Sequence, residues 1–522
     1  MPFEVTTKVG KYTYIYQSTS YRDKNGKPKS KRTPIGKILP NGQKIYKTPH
    51  QQQQQPQTPD NQPQYTTNDI KNSKIQEHGL TNLLQKIADK HGLTEALKTA
   101  TPTNHNQIHN LATYLIANND PLMYCQEWLN NTTTSTPNPT NLSSQRISEL
   151  LNNITITERE TFYQEWCKKR AETEYLALDI TSTSTYSNLI DDAEWGYNRD
   201  NEKLPQINLC LLMGQTSRLP IYQTSYSGSM SDVATLKTTL AKFDAIAKDK
   251  PIKAVMDKGF YSKTNIDAMI AQNKAFLIAV PFSKELAKEQ VQSVLDKIDC
   301  FETLLVMGEE SLRAMTKKFL WDGKHDLFVH IFYNPLKAVR DREKLYAHVA
   351  QMHALACKSP VKYVGNKRFL RFFDFVVGVD GSYRVVLRGE ALSRACLFAG
   401  MLVILSNDVG CALEALRVYR AKDVVEKGFL RLKNSLDLVR LRVHSDPAVQ
   451  NKFFVGFVAL ILLSFVHNVM FEKGLYKKYT LKGVLRVLSK FRVQSINGVQ
   501  IKFMPTKEVR ELYKAFGFAD SL

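Results

Sequence analysis

A chain of 522 residues, 43% of them hydrophobic, is long enough for two to four domains and for at least one sizeable core, so a globular protein is expected. Its 71 Lys and Arg against 50 Asp and Glu leave a formal charge of +21 and a pI near 9.4, which favours a polyanionic partner over an acidic small molecule. Net charge alone leaves DNA, RNA and an anionic membrane open. The seven cysteines form no CxxC pair and no Cys/His zinc spacing, the pattern of a reducing compartment. The N-terminus "MPFEVTTKVGKYTYIYQ" lacks a basic segment followed by an apolar one, so the expectation is a cytoplasmic protein.

Residues 1–50 carry eleven Lys/Arg against Glu4 and Asp23, and "KYTYIYQSTSYRD" followed by the turn-forming "KNGKPKSKR" predicts a small basic β-unit. Residues 51–74 contain "QQQQQPQTPDNQPQ", which cannot bury a face and reads as a disordered Gln/Pro-rich linker. From 75 to 170, "LTNLLQKIADKHG", "NQIHNLATYLIAN" and "RISELLNNI" have helical spacing, giving a helical module interrupted by the loop "NNTTTSTPNPTNLSS".

Residues 171–282 change character. "EYLALDITSTSTYS" is a strand, "QINLCLLMGQTSRLPIYQTSYSG" two strands about a turn, and "SDVATLKTTLAKFDAIAK" a Ser-capped helix. The strand "IKAVMD", the helix "SKTNIDAMIAQ" and the strand "AFLIAV" follow. The order βββαβαβ is that of a ribonuclease-H-like α/β core with an antiparallel hairpin and the remaining strands parallel.

Over 283–390 that pattern is lost, and the strands "DLFVHIFYN" and "RFLRFFDFVVGVDGSYRVVL" around a charged helix predict a mostly β insertion domain. A helical pattern resumes over 391–475 from "ALSRACLFAGMLVILSNDVGCALEALRVYRAKDVVEKGFLRLKNSLDLVRL" onward. It includes the apolar run "FFVGFVALILLSFVHNVMF", 453–471, whose strictly apolar part ends at Ser464; that is short for a membrane span and fits a helix buried on all sides. Residues 476–522 read as a basic tail.

Two acids stand out in the core. Asp179 interrupts the apolar strand "YLALDI", where a carboxylate is costly to bury without a partner or a cation. Asp257 ends "IKAVMD" at the C-terminal end of a predicted parallel strand, where open α/β sheets place ligands. With the first strand central and the Asp257 strand beside it, both acids face one cleft, an all-oxygen pair suited to Mg²⁺ or Mn²⁺. Either acid alone could equally be a strand-end cap or an ordinary salt-bridged group.

Further on, "VYRAKDVVEKGFLRLK" reads as one helix on which Tyr419, Lys422, Glu426 and Lys433 project within an arc of about 60°. On its own this would be a surface helix with Glu/Lys pairs. Beside the two aspartates it supplies a third carboxylate among phosphate-holding groups, the needs of metal-dependent phosphoryl transfer.

These residues resemble those of DDE insertion-sequence transposases. Asp179, Asp257 and Glu426 are spaced like their acidic triad. Tyr419, Lys422, Glu426 and Lys433 are similar to the Tyr-x2-Arg-x3-Glu-x6-Lys signature of a large bacterial branch in which a mostly β domain separates the second and third acids; here Lys422 stands for the Arg, without its planar fork. "GYNRDNEKLPQINL", "LPIYQTSYSGSMSD", "DKGFYS" and the N-terminal "TPIGKI" also resemble the family, and the glutamine tract has no counterpart there.

The resemblance implies that Asp179, Asp257 and Glu426 bind Mg²⁺, with Mn²⁺ able to substitute, and that Tyr419, Lys422 and Lys433 position DNA phosphates. Double-stranded DNA, both element ends and target, would be the partner, a homodimer would form in the synaptic complex, and no membrane is implied. The reaction would be strand cleavage at terminal inverted repeats followed by joining of 3′-hydroxyl ends to target DNA. By position and charge, the N-terminal β-unit and the helical module are the candidates for reading the repeats. Trp321, in "FLWDGKHD", is a candidate for stacking on an extruded base, against the commoner alternative of a core tryptophan. A metal-dependent endonuclease without strand transfer and an inactive DNA-binding relic are the rival readings.

Overall fold

The computed structural model describes residues 3–9, 12–22, 27–39, 41–46, 66–71, 73–134, 141–170, 174–196, 202–247, 251–497 and 499–522. The chain divides into two compact units, Met1–Lys71 and Asn72–Leu522. Most of the Gln/Pro-rich stretch expected as a linker, residues 51–65, lies outside the described residues, as do 135–140 of the Thr/Asn/Pro loop and 197–201 of "GYNRDNEK".

The first unit holds one antiparallel sheet of β1 (Phe3–Val9), β2 (Tyr12–Arg22), β3 (Pro28–Ile38) and β4 (Lys44–Tyr46), paired in that order, and the short helix Thr67–Lys71. Ile15 is fully buried. Gly36, in the "TPIGKI" phrase, lets β4 approach closely, because a Cβ there would lie 2.5 Å from the Ile45 carbonyl oxygen.

The second unit begins with β5 (Lys74–Glu77) and a run of helices from Gly79–Lys90 to Ile156–Lys169. The core follows as β6 (Tyr175–Ser184), β7 (Gln206–Gly214), β8 (Pro220–Ser227), β9 (Lys253–Met256) and β10 (Ala275–Ala279), with the helices Asp232–Ala247 and Lys263–Ala271 in the expected places. In space these strands lie as β10-β9-β6-β7-β8. β6 is antiparallel to β7 and parallel to β9, and β9 is parallel to β10. This mixed α/β arrangement is consistent with the ribonuclease-H-like core read from the sequence.

The segment expected as a separate β domain over 283–390 departs from that reading. β11 (Leu304–Met307), β12 (Glu310–Trp321) and β13 (His325–Tyr333) continue the central sheet. Among the described residues, the part after β13 has its own small core: the helix Pro335–Lys358 packs with the region of the hairpin β14 (Phe373–Val377) and β15 (Tyr383–Leu387) through Val349, Met352, Ala356, Phe369, Phe372 and Phe373.

The link is β16 (Met401–Ser406), which lies between β13 and β10 and completes a nine-stranded sheet. The sequence reading made this stretch helical. Gly400 explains the difference: its φ of +73° turns the chain out of the preceding helix, and a side chain there would meet the Asn334 carbonyl at 2.5 Å.

The apolar run belongs to the helix Asp446–Glu472, started by the Ser445 cap and Pro447. By length and composition it could cross a membrane, yet 83% of its most apolar stretch is buried inside the fold. Residues 453–463 are all at most 2% exposed or buried glycine. Asn451, near its start, donates to the carbonyls of Leu151 and Ile154, each at 2.8 Å, and accepts from Arg159 at 2.6 Å, tying the helix to the helical layer. One continuous core therefore runs from Leu80 through the sheet to Phe516, so the helical segment packs as a layer of the second unit.

The expected C-terminal tail is also folded. β17 (Arg492–Ile496) pairs with both β18 (Val499–Lys502) and β5, and the Tyr513 hydroxyl donates to the Gly79 carbonyl at 2.7 Å.

Candidate active site

The parallel register places the first two acids. Leu178 pairs with Met256 at the last matched position of β6 and β9, so Asp179 and Asp257 are the next residues on neighbouring strands. Strands lie about 4.8 Å apart, and matched positions of a parallel pair point to the same face, so both carboxylates emerge on one side of the sheet. Asp179 is 7% exposed and accepts the Ile180 amide at 2.8 Å.

The third acid arrives on a broken helix, which corrects the single-helix reading of residues 418–433. The helix Ala412–Ala421 ends at Lys422, and Asp423–Ser435 starts directly after it. Asp423 and Glu426 in the new first turn favour that start, since a helix N-terminus carries partial positive charge. Lys422 keeps helical angles, φ −56° and ψ −24°, so Tyr419, Lys422 and Glu426 still share a face across the junction. The second helix packs on β7 at Gly428, where a Cβ would run into Met213.

The side chains converge. The Tyr419 hydroxyl donates to Asp257 Oδ1 at 2.9 Å, and Lys422 Nζ pairs with Glu426 Oε1 at 2.8 Å. Burial raises the pKa of the Tyr419 phenol, and the negative charges of Asp257, Glu426 and Asp179 raise it further. Burial alone would lower that of Lys422, but its hydrogen bond to Glu426 and the charges of Asp257 and Asp179 outweigh this and raise it. Each of these two residues thus feels all three acids, and the Lys422 ammonium is the positive charge that answers them.

The donor set is three carboxylates, hard oxygen ligands that fit a divalent cation of the Mg²⁺ class. As the side chains lie, with Lys422 holding Glu426, no three His, Cys, Asp or Glu groups among the described residues stand close enough to hold a metal ion. The chemistry of the set fits such an ion once Lys422 releases Glu426.

Two expected participants stand apart. Lys433, in the last turn of the second helix, lies near Glu202, whose carboxyl pKa is lowered chiefly by a hydrogen bond from Arg440 and also by the charge of Lys433. Trp321 is 7% exposed, and its indole N–H donates to Asp267 Oδ1 at 2.7 Å. Burial in the sheet leaves no open ring face, so the base-stacking expectation is corrected to that of a core tryptophan.

One residue went unremarked in the sequence. Asp232 starts the helix Asp232–Ala247, and its Oδ2 lies 2.8 Å from where a Cβ on Gly259 would sit, two residues beyond Asp257. With residues 180–182 and Asn208 it lines an open cavity of about 360 Å³ alongside β6. The only hint in the sequence was an acid after "SGSMS", indistinguishable from a helix-start acid.

Comparison with known proteins bears on this geometry. No curated protein is found to match the chain. A solved structure of a piggyBac transposase synaptic complex with hairpin DNA is 11% identical, covering 77% of this chain and 70% of that one, with a TM-score of 0.34. The family model described as "Transposase DDE domain" matches residues 170–462, which span the sheet and all three acids. The chain belongs to the transposase DDE domain family.

Proposed function

We propose that this chain is a cut-and-paste transposase that binds the terminal inverted repeats of its own element, cleaves DNA there and joins the freed 3′-hydroxyls to target DNA. The observation that carries the reading is the placing of Asp179 and Asp257 just past matched positions of β6 and β9, with Tyr419 bonded to Asp257 and with Lys422, bonded to Glu426, feeling the charge of all three acids. Strand cleavage breaks a P–O3′ bond as water attacks phosphorus in line, and the departing 3′-oxygen takes up a proton. In joining, that 3′-hydroxyl attacks a target phosphate and a target 3′-oxygen leaves.

Asp179, Asp257 and Glu426 would hold Mg²⁺, or Mn²⁺ in its place, which supplies charge to activate the nucleophile and to stabilise the leaving oxygen. The Tyr419 hydroxyl keeps Asp257 oriented. Lys422, once it leaves Glu426, brings an ammonium to the phosphate, and Lys433 contacts phosphate farther along the strand. Buried β6 beneath Asp179 gives the cleft a rigid floor. A homodimer would bring two ends together, and the setting would be the cytoplasm, on the nucleoid.

The experiment pairs purified protein with a supercoiled plasmid carrying the sequences that flank its own gene, in Mg²⁺ or Ca²⁺, beside Glu426→Gln. Excision and joined products in Mg²⁺ only, absent with the variant, are expected. Cleavage without joining would leave an endonuclease, and binding without cleavage in both proteins would leave an inactive relic.

A further inference from the structure

The N-terminal sheet is uneven in width. β1 pairs with β2 from Tyr12 to Ser18, and β4 pairs with β3 from Gly36 to Ile38. The β2/β3 pairing runs farther, through Thr19↔Lys31, Ser20↔Ser30, Tyr21↔Lys29 and Arg22↔Pro28. Among the described residues, 19–22 and 28–31 therefore extend past both outer strands as a two-stranded ribbon, and every one of them is exposed.

Such a ribbon gains nothing from the core of its own unit. Opposed residues share a face, so Thr19, Tyr21, Lys29 and Lys31 form one side and Ser20, Arg22 and Ser30 the other. Neither side is apolar. Two strands without a buried face are marginal in water, and a lysine or two would be enough to guard a sheet edge against pairing with other chains. Residues 17–34 instead carry Arg22, Lys24, Lys27, Lys29, Lys31 and Arg32 against the single acid Asp23.

We propose that this ribbon enters the major groove of duplex DNA, with its cations along the phosphates and the side that carries Ser20 and Ser30 toward the base edges. The dimensions agree: four to five residues at about 3.4 Å each extend roughly 15 Å, and the major groove, about 12 Å wide and 8.5 Å deep, admits a two-stranded ribbon. Hydroxyls among cations match a surface that offers donors and acceptors between two rows of phosphate. The proposal rests on the DNA-processing function above and assigns end contact to one element of the chain.

The test uses the full chain and fluorescence anisotropy on a 40-base-pair duplex from the flank of its own gene and on a scrambled duplex, over a salt series. Lys29→Ala with Lys31→Ala is expected to weaken binding at least tenfold and to lower the slope of log affinity against log salt by about 2, since each lost phosphate contact removes roughly 0.9. Lys29→Arg with Lys31→Arg restores both, which separates charge from misfolding. Lys8→Ala with Lys44→Ala, on β1 and β4 away from the ribbon, leaves the slope unchanged. Methyl green, a major-groove ligand, competes with wild-type binding, and the minor-groove ligand distamycin does not. If wild type binds and the double alanine variant keeps its affinity and slope, or distamycin is the competitor, the ribbon assignment is overturned. If wild type binds neither duplex, the DNA-processing function itself fails and the ribbon proposal with it.

Discussion

Replacing Lys422 by Met keeps a long side chain and removes the ammonium bonded to Glu426. In the structure this charge lies 2.8 Å from Glu426, with the Lys422 side chain 7% and the Glu426 side chain 54% exposed. At an effective dielectric constant near 20, unit charges at that distance attract by roughly 6 kcal/mol, an upper bound. Solvent at Glu426 screens most of it, so loss of the pair together with the new repulsion among three carboxylates is expected to cost about 2 kcal/mol. For a unit of about 450 residues, an unfolding entropy near 2.1 cal/mol/K per residue converts this to a fall in Tm of about 2 °C.

Added Mg²⁺ then separates the two proteins. In wild type the carboxylates must give up Lys422 before they can take a cation, whereas in Lys422→Met they repel one another until they do. The variant is therefore expected to gain more in Tm than wild type, closing most of the gap. Differential scanning calorimetry in chelator and in 5 mM MgCl₂, at matched ionic strength, reads this directly. Equal stability of the two proteins in chelator, or equal gains from Mg²⁺, would refute the idea that Lys422 holds the acids.

Tyr419→Phe removes the hydroxyl donated to Asp257 and is expected to lower cleavage about tenfold with an unchanged melting temperature; a drop in Tm with full activity would make the contact purely structural. Burial pushes the His109 imidazole down to about 4 from its ordinary 6.5. The folded state thus resists protonation, its stability is fully present above pH 6.5, and up to about 3 kcal/mol drains away as pH falls toward 4. Urea midpoints at pH 7.5 and 4.5 should separate less in His109→Gln than in wild type. Gly79→Ala drives a methyl into the Leu488 carbonyl and to 2.9 Å from Phe491 Cβ, and is expected to destabilise by about 2–4 kcal/mol, measurable by thermal melting; an unchanged Tm would mean that the C-terminal segment does not clasp the helix Gly79–Lys90.

The two aspartates were legible because each ends or interrupts a short apolar strand whose place in the βββαβαβ order fixes its neighbours. The spacing of Tyr419, Lys422 and Glu426 was legible for a different reason: the helix breaks at Lys422, but that residue keeps helical angles and the face survives. Lys433 shared the predicted arc and still lies toward Glu202. Azimuth on a helix says nothing of distance along its axis, and seven residues at 1.5 Å each carry Lys433 about 10 Å from Glu426.

What stayed hidden depended on distant partners. "MLVILS" is a six-residue apolar run that periodicity cannot assign to helix or strand. Its identity as β16 is set by pairing with β10, more than a hundred residues earlier, and with β13. That one strand also decides whether 304–333 forms a separate domain or widens the sheet. Trp321 precedes a Gly turn and reads locally as a loop tip, while its hydrogen-bond partner Asp267 is 54 residues away.

The helix Asp446–Glu472 has a bearing on the fate of damaged gene copies. It packs against the helices Gly79–Lys90, His105–Asn118 and Ser144–Asn153, strand β8 and the helix Asp423–Ser435, all synthesised before it. A frameshift or stop codon ahead of codon 446 yields a chain with nearly all of its apolar surfaces made and the element that covers them missing. Such a product exposes wide hydrophobic faces and is lost to aggregation and proteolysis. Each such truncation is thus expected to cost the second unit as a whole and not to leave a shortened but folded one.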